Sequence, residues 1–108
     1  MPRSRSLTGA EIRRLKPKKR LSGGLFSLSL AGVDTGRGTC ACVVSKKVAA
    51  SAVARNLIKR RCKEAIRLRV GRLAAKTAYV FTARKPAADA SFADISREIG
   101  DLLEKAGA

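Results

Sequence analysis

Residues 51–69, SAVARNLIKRRCKEAIRLR, decide how this chain is read. Ser51 stands where an N-cap is needed, because its hydroxyl can accept one of the amide hydrogens that a first helical turn leaves unpaired, and Gly71 lies just past the other end. At about 100° per residue, Ala54, Ile58, Cys62, Ala65 and Ile66 fall on one arc, while Asn56, Lys59, Arg60, Lys63 and Arg67 fall on the opposite side. Arg55 lies at the border. The spacing predicts a helix through about Arg69 with one face for a core and the other for an anion.

On either side the period changes to that of strands. Thr39 to Ser45 is rich in small and β-branched residues and is closed by Lys46 and Lys47. Thr77 to Arg84 carries Tyr79, Val80 and Phe81, apolar on both faces, as expected of a strand that is central or covered on each side. The Ser51 helix is therefore expected to be the crossover between these two strands. Further upstream Phe26, Leu28 and Leu30 alternate with Ser27 and Ser29, the pattern of a half-buried strand. Gly32, Asp34, Gly36 and Gly38 supply turn chemistry, so this strand and Thr39–Ser45 are expected to form an antiparallel hairpin with a loose loop.

Two more helices are expected. Thr8 and Glu11 have the spacing of a capping box, and Leu7 and Ile12 that of a hydrophobic staple, so a short helix starts near Gly9 and buries Ile12 and Leu15 before Pro17 stops it. Lys16, Lys18, Lys19 and Arg20 then read as a solvated loop. Lys85 and Pro86 end the strand that begins at Thr77. Ser91 and Asp94 open a last helix whose stripe of Phe92, Ile95, Ile99, Leu102, Leu103 and Ala106 should cover the sheet. The order predicts an α+β or α/β two-layer sandwich, one domain over residues 1–108 with a flexible stretch at 1–6.

Lys and Arg number 24 against 8 Asp and Glu, giving a formal charge of +16 that self-repels unless an anionic partner offsets it. Apolar residues make up 45% of the chain and follow clear periods, which argues for a folded domain with disorder confined to the termini. The charge is segregated: residues 89–108 hold two basic and five acidic side chains, leaving twenty-two basic against three acidic in the first 88. Residues 46–72 alone hold ten basic and one acidic, so the last helix should face away from nucleic acid and the central one toward it. Arginine offers phosphate a planar fork of donors and lysine a point charge. Asn56 could orient an arginine, touch a base or ribose, or bind a metal-bound water.

Catalytic machinery is hard to find. The chain has no His, carboxylates are scarce where the charge would draw substrate, and Glu64 among cations reads as an ion-pair partner. Ser45 before Lys46 needs no nucleophilic explanation. Cys40, Cys42 and Cys62 are an odd number without histidine, which argues for reduced core thiols rather than a zinc site. No run of about 18 apolar residues is present, and Met1–Ser6 lacks the apolar stretch of a signal peptide, so a cytoplasmic protein without membrane contact is expected.

Val44-Ser45-Lys46-Lys47, then Arg55-Asn56-Leu57-Ile58-Lys59-Arg60-Arg61, then Ala83-Arg84-Lys85-Pro86 closely resemble the bacterial ribonuclease P protein component, and the resemblance covers most of the chain. It implies a subunit of the ribonucleoprotein that removes the 5′ leader from precursor tRNA, in which the RNA is the catalyst and holds magnesium ions. It also implies a fold with three helices around a mostly antiparallel sheet, like domain 2 of ribosomal protein S5, with a left-handed βαβ crossover. Handedness rules alone predict the opposite hand. Lys46, Lys47, Arg55, Asn56, Lys59, Arg60 and Lys63 should then contact the catalytic RNA, alongside Arg67 on the same helix face. The implied partners are ribonuclease P RNA and precursor tRNA, with no obligate protein partner and no cofactor on the protein itself.

The same resemblance implies a cleft for the single-stranded leader, formed by the sheet and the first helix, with Ile12, Phe26 and Ser29 as candidate contacts. Here the chain departs from the pattern. Aromatic positions of the family appear as Ile12, Leu15 and Ser29, and Leu57 replaces a common arginine. Phe26 and Tyr79 read more readily as core than as base platforms. The rival readings are a structural RNA-binding protein of similar fold, which has no role in cleavage, and a stand-alone metal nuclease.

Overall fold

The computed structural model describes residues 5–6, 18–32, 39–69 and 77–107. The strands are β1 (Arg5–Ser6), β2 (Lys19–Ser22), β3 (Phe26–Gly32), β4 (Thr39–Val43) and β5 (Thr77–Ala83). The helices are α1 (Ala52–Arg67), a short 3-10 turn at Lys85–Asp89, and α2 (Phe92–Gly107). The strands form one sheet in the order β1-β4-β5-β3-β2. It is an α+β fold with mixed pairing: β1 and β5 run parallel to β4, whereas β3 is antiparallel to both β5 and β2.

This order corrects the expected hairpin. β3 and β4 do not pair, because β5 lies between them, matching Leu28 to Phe81 on one side and Cys42 to Phe81 on the other. The reason is in β5 itself. Tyr79, Phe81 and Ala83 are buried on one face and Ala78 on the other, and a strand with buried residues on both sides gains most from the middle of a sheet. The expectation that this strand is central or covered on each side, and that the Ser51 helix crosses between it and the strand before it, agrees with β4–α1–β5, where the two strands run parallel. The expectation of a mostly antiparallel sheet does not, since half of the pairings are parallel.

The hairpin that does form joins β2 to β3 through Gly23, Gly24 and Leu25. Lys19 and Arg20, expected in a solvated loop, therefore belong to an edge strand, although both remain exposed. Exposed cations on an edge also oppose strand addition by another chain. Arg5 and Ser6, expected to be flexible, pair with Thr39 and Cys40. The helix expected near Gly9, with its capping box at Thr8 and Glu11 and buried Ile12 and Leu15, lies outside the described residues, as do Asp34, Gly36 and Gly38.

Both helices cover one face of the sheet. Phe26, Leu28 and Leu30 of β3, Cys40 and Cys42 of β4, and Tyr79 and Phe81 of β5 meet Ile58, Cys62, Ala65 and Ile66 of α1 and Ile95, Ile99, Leu102 and Leu103 of α2. Phe26, Phe81, Ile95 and Ile99 are fully buried, each stabilising the fold by about 1.5–3 kcal/mol. The Cys42 and Cys62 thiols are hydrogen-bonded at 2.7 Å, at the seam between β4 and α1. That bond, followed by burial, pushes the Cys62 thiol well above its ordinary range and keeps it protonated.

Two polar ties fix the β2–β3 turn to the rest. The Glu98 carboxylate of α2 accepts hydrogen bonds from the main-chain nitrogens of Gly24, Leu25 and Phe26 at 3.0, 2.6 and 2.6 Å. Arg84 Nη1 donates to the Gly23 carbonyl at 2.8 Å. A side chain at Gly23 would place its first carbon 2.7 Å from the Glu98 carboxyl group, so glycine is what lets α2 reach the turn.

Candidate nucleic-acid interface

α1 starts as its sequence dictates. Ser51 is extended and its hydroxyl accepts the Ala54 amide at 3.0 Å. The segment before it is a turn in which the Val48 and Ala49 amides donate to the Ser45 carbonyl at 3.1 and 3.3 Å. This turn displays Lys46 and Lys47, both exposed, beside a helix start with no acidic residue in its first turn. The positive end of the helix dipole and two lysines thus act on the same side of the molecule.

Along α1 the structure divides the cations into two sets that sequence periodicity does not distinguish. Asn56, Arg60 and Lys63 are exposed and Lys59 is half-buried, and the side chains of the four make no hydrogen bond or ion pair to another described residue. They lie at positions i, i+3, i+4 and i+7, so their polar groups form one strip along the helix. A strip of polar side chains without a partner among the described residues, at that spacing, is suited to successive phosphate oxygens.

The other arginines have internal partners. Arg55 Nη1 donates to the carbonyls of Ala49 and Ala50 at 3.0 and 2.7 Å, holding the turn against the helix. Arg61 Nη1 donates to the Ala90 carbonyl at 3.0 Å. Arg69 Nη1 bonds to the Ala65 carbonyl and to Ser96 Oγ at 3.1 and 3.0 Å, tying the end of α1 to α2. Arg67 forms a two-pronged ion pair with Glu64 at 2.9 and 2.6 Å. The arginine's hydrogen bonds hold the Glu64 carboxyl below its usual range and the pairing raises Arg67. Arg67 remains largely exposed and Glu64 partly so, and the pair does little for stability.

The far face of the sheet is the other candidate surface. The register aligns Ser22, Ser27, Thr82 and Val43 in one row across β2, β3, β5 and β4, and Arg20, Ser29, Val80 and Ala41 in the next. Ser27, Ser29 and Thr82 are half-exposed there. Ser29 therefore sits where a strand of nucleic acid could reach it. Phe26 does not: it is 0% exposed on the helix side, because residues 26 and 29 of a strand face opposite ways, and its candidacy as a leader contact is corrected. Tyr79 is buried on the helix side as well. Ile12 lies outside the described residues.

Among the described residues, no three His, Cys, Asp or Glu side chains converge to hold a metal ion, and no helix is long and apolar enough to cross a membrane. The residues that sequence reasoning missed are Glu98 and Gly23, whose partnership is set by tertiary contact alone. Val53, exposed on α1 beside the cationic strip, also escaped notice, and Leu57, noted only for the arginine it replaces, is exposed there as well.

Known structures share this fold. The Staphylococcus aureus RNase P protein at 2.0 Å is 24% identical with a TM-score of 0.81, and the match covers 96% of each chain. A second S. aureus RNase P protein structure is 25% identical with a TM-score of 0.75, covering 95% of this chain and 88% of that one. The RNase P protein from Thermotoga maritima is 22% identical with a TM-score of 0.73, covering 81% and 82%. No curated protein sequence matches the chain closely enough to count as a relative. The model of the family described as Ribonuclease P matches residues 1–107, so the chain belongs to the ribonuclease P protein family and has a subunit role in tRNA processing.

Proposed function

We propose that this protein is the accessory subunit of a holoenzyme in which RNA is the endonuclease, and that it grips that RNA through α1. The observation that carries the reading is the strip of Asn56, Lys59, Arg60 and Lys63, which has no partner among the described residues in a protein of charge +16. Lys46 and Lys47 extend the grip at the helix start, while Arg55 and Arg67 join it from residues already held by internal bonds. A chain without histidine, in which Glu98 is used on a turn and Glu64 on an arginine, is suited to binding RNA rather than to hydrolysing it.

In this reading the protein holds no cofactor of its own, and magnesium ions belong to the RNA subunit. The partners are ribonuclease P RNA and precursor tRNA in the cytoplasm, with no membrane contact and no obligate protein partner. Residues 1–108 act as a single domain, a two-layer sandwich like domain 2 of ribosomal protein S5, with a left-handed β4–α1–β5 crossover. The open face of the sheet, around Ser29, takes the single-stranded leader.

The test is cleavage of precursor tRNA by a cognate ribonuclease P RNA at low magnesium. Adding the protein should raise the rate. An RNA that cleaves equally well without it would contradict the assignment.

A further inference from the structure

The composition of the open sheet face bears on how a leader would be held there, an inference that rests on the leader reading. The whole chain contains four aromatic residues, three Phe and one Tyr. Each has a defined place. Phe26, Phe81 and Tyr79 are at most 2% exposed and lie in the core on the helix side of the sheet, and Phe92 belongs to α2, in the helical layer. No other segment of the chain, whatever its position, contains an aromatic ring to lay against the open face.

What the exposed part of this face presents is Ser27, Ser29 and Thr82, half-exposed beside Val43 and Val80, whereas Ala31, Thr39, Ala41 and Ala78 on the same side of the sheet are buried. Ser27 pairs with Thr82, Ser29 lies one row on, and the β2 edge supplies Arg20 and Ser22 in the same two rows. Lys18, Lys19 and Arg20 are all exposed along that edge. Hydroxyls donate to and accept from phosphate oxygens and ribose hydroxyls, and the basic edge complements a polyanion. Neither group distinguishes one base from another.

We infer that the open face of the sheet holds the leader by its sugar–phosphate backbone and is indifferent to its bases. Stacking on an aromatic platform contributes about 5- to 150-fold in affinity per base, and this chain has no platform to supply it. The leader interaction should instead be salt-dependent, with Arg20 among the cations that set the slope.

The experiment measures holoenzyme affinity for three precursor tRNAs, each with and without the protein: one with its native leader, one whose leader nucleotides are abasic ribose units, and one with the leader removed. The native leader should give a protein-dependent gain over the leaderless tRNA, and the abasic leader should keep that gain to within about fivefold. A larger loss with the abasic leader would overturn this inference while leaving leader binding intact. No protein-dependent gain with the native leader would overturn the leader reading, and this inference with it.

Discussion

Glu98 Oε2 lies 2.6 Å from the main-chain nitrogen of Phe26, and the same carboxylate also takes the amides of Leu25 and Gly24. Three donors of the β2–β3 turn thus converge on a single side chain of α2. Replacing it by alanine strands part-buried amides, so Glu98→Ala should destabilise the protein by about 2–4 kcal/mol and Glu98→Gln by less, because the amide oxygen can still accept. Gly23→Ala should also destabilise, since its new carbon would meet the carboxyl group at 2.7 Å. Urea denaturation checks all three. Unchanged midpoints would mean that the turn is not held by α2.

Arg60 and Arg55 should separate in their effects on binding and stability. Arg60 is exposed and bonds to no described residue, so Arg60→Ala should lower the salt slope of RNA binding by roughly 0.7–0.9 without moving the thermal midpoint. Arg55 also holds the carbonyls of Ala49 and Ala50, so Arg55→Ala should weaken binding and lower the midpoint together. Salt titrations paired with thermal melts distinguish the two. Equal behaviour in both assays would undo the division of the cations.

In the proposed grip, Glu64 competes with RNA for Arg67. Glu64→Ala removes a negative charge from the cationic side and frees the guanidinium, and RNA binding should tighten by several-fold at low salt, with the advantage fading as salt screens it. Binding assays at two salt concentrations check this. Weaker binding would show that the ion pair positions Arg67 rather than occupying it.

The Cys62 thiol sets an alkaline limit. Its proton is bound more tightly in the folded state than in the unfolded one, where the thiol titrates near its ordinary value of 9.0. Its contribution is therefore fully present below pH 9 and is lost above it, as the unfolded chain releases a proton that the folded chain keeps, at up to ~1.4 kcal/mol per pH unit. Between about pH 9 and 10.5 the wild-type protein should lose stability more steeply than Cys62→Ala. Parallel slopes would place this thiol outside the linkage.

How much was legible in advance depends on how local each signal is. α1 could be read from residues within a few turns of each other: Ser51 caps it, and Ile58, Cys62, Ala65 and Ile66 are its buried set. α2 was legible for the same reason, with Ser91 Oγ accepting the Asp94 amide at 3.1 Å. The insertion of β5 between β3 and β4 was not, because strand pairing joins residues far apart in sequence and the turn-rich stretch after β3 pointed to a local hairpin. The basic face was legible as a stripe. Its division was not, since the carbonyls that engage Arg61 and Arg69 are those of Ala90 and Ala65, which no side-chain pattern reveals.

The proposed role of the α1 strip in holding a catalytic RNA is open to direct measurement. The quantity is the rate of precursor-tRNA cleavage by the cognate RNA at low magnesium, with wild-type protein and with a Lys59→Ala, Arg60→Ala, Lys63→Ala triple variant whose thermal midpoint is unchanged. Wild type should stimulate cleavage, and the variant should fail to do so until its concentration is raised well above that of the RNA. A folded variant that stimulates as well as wild type at limiting concentration would show that the strip is not the grip.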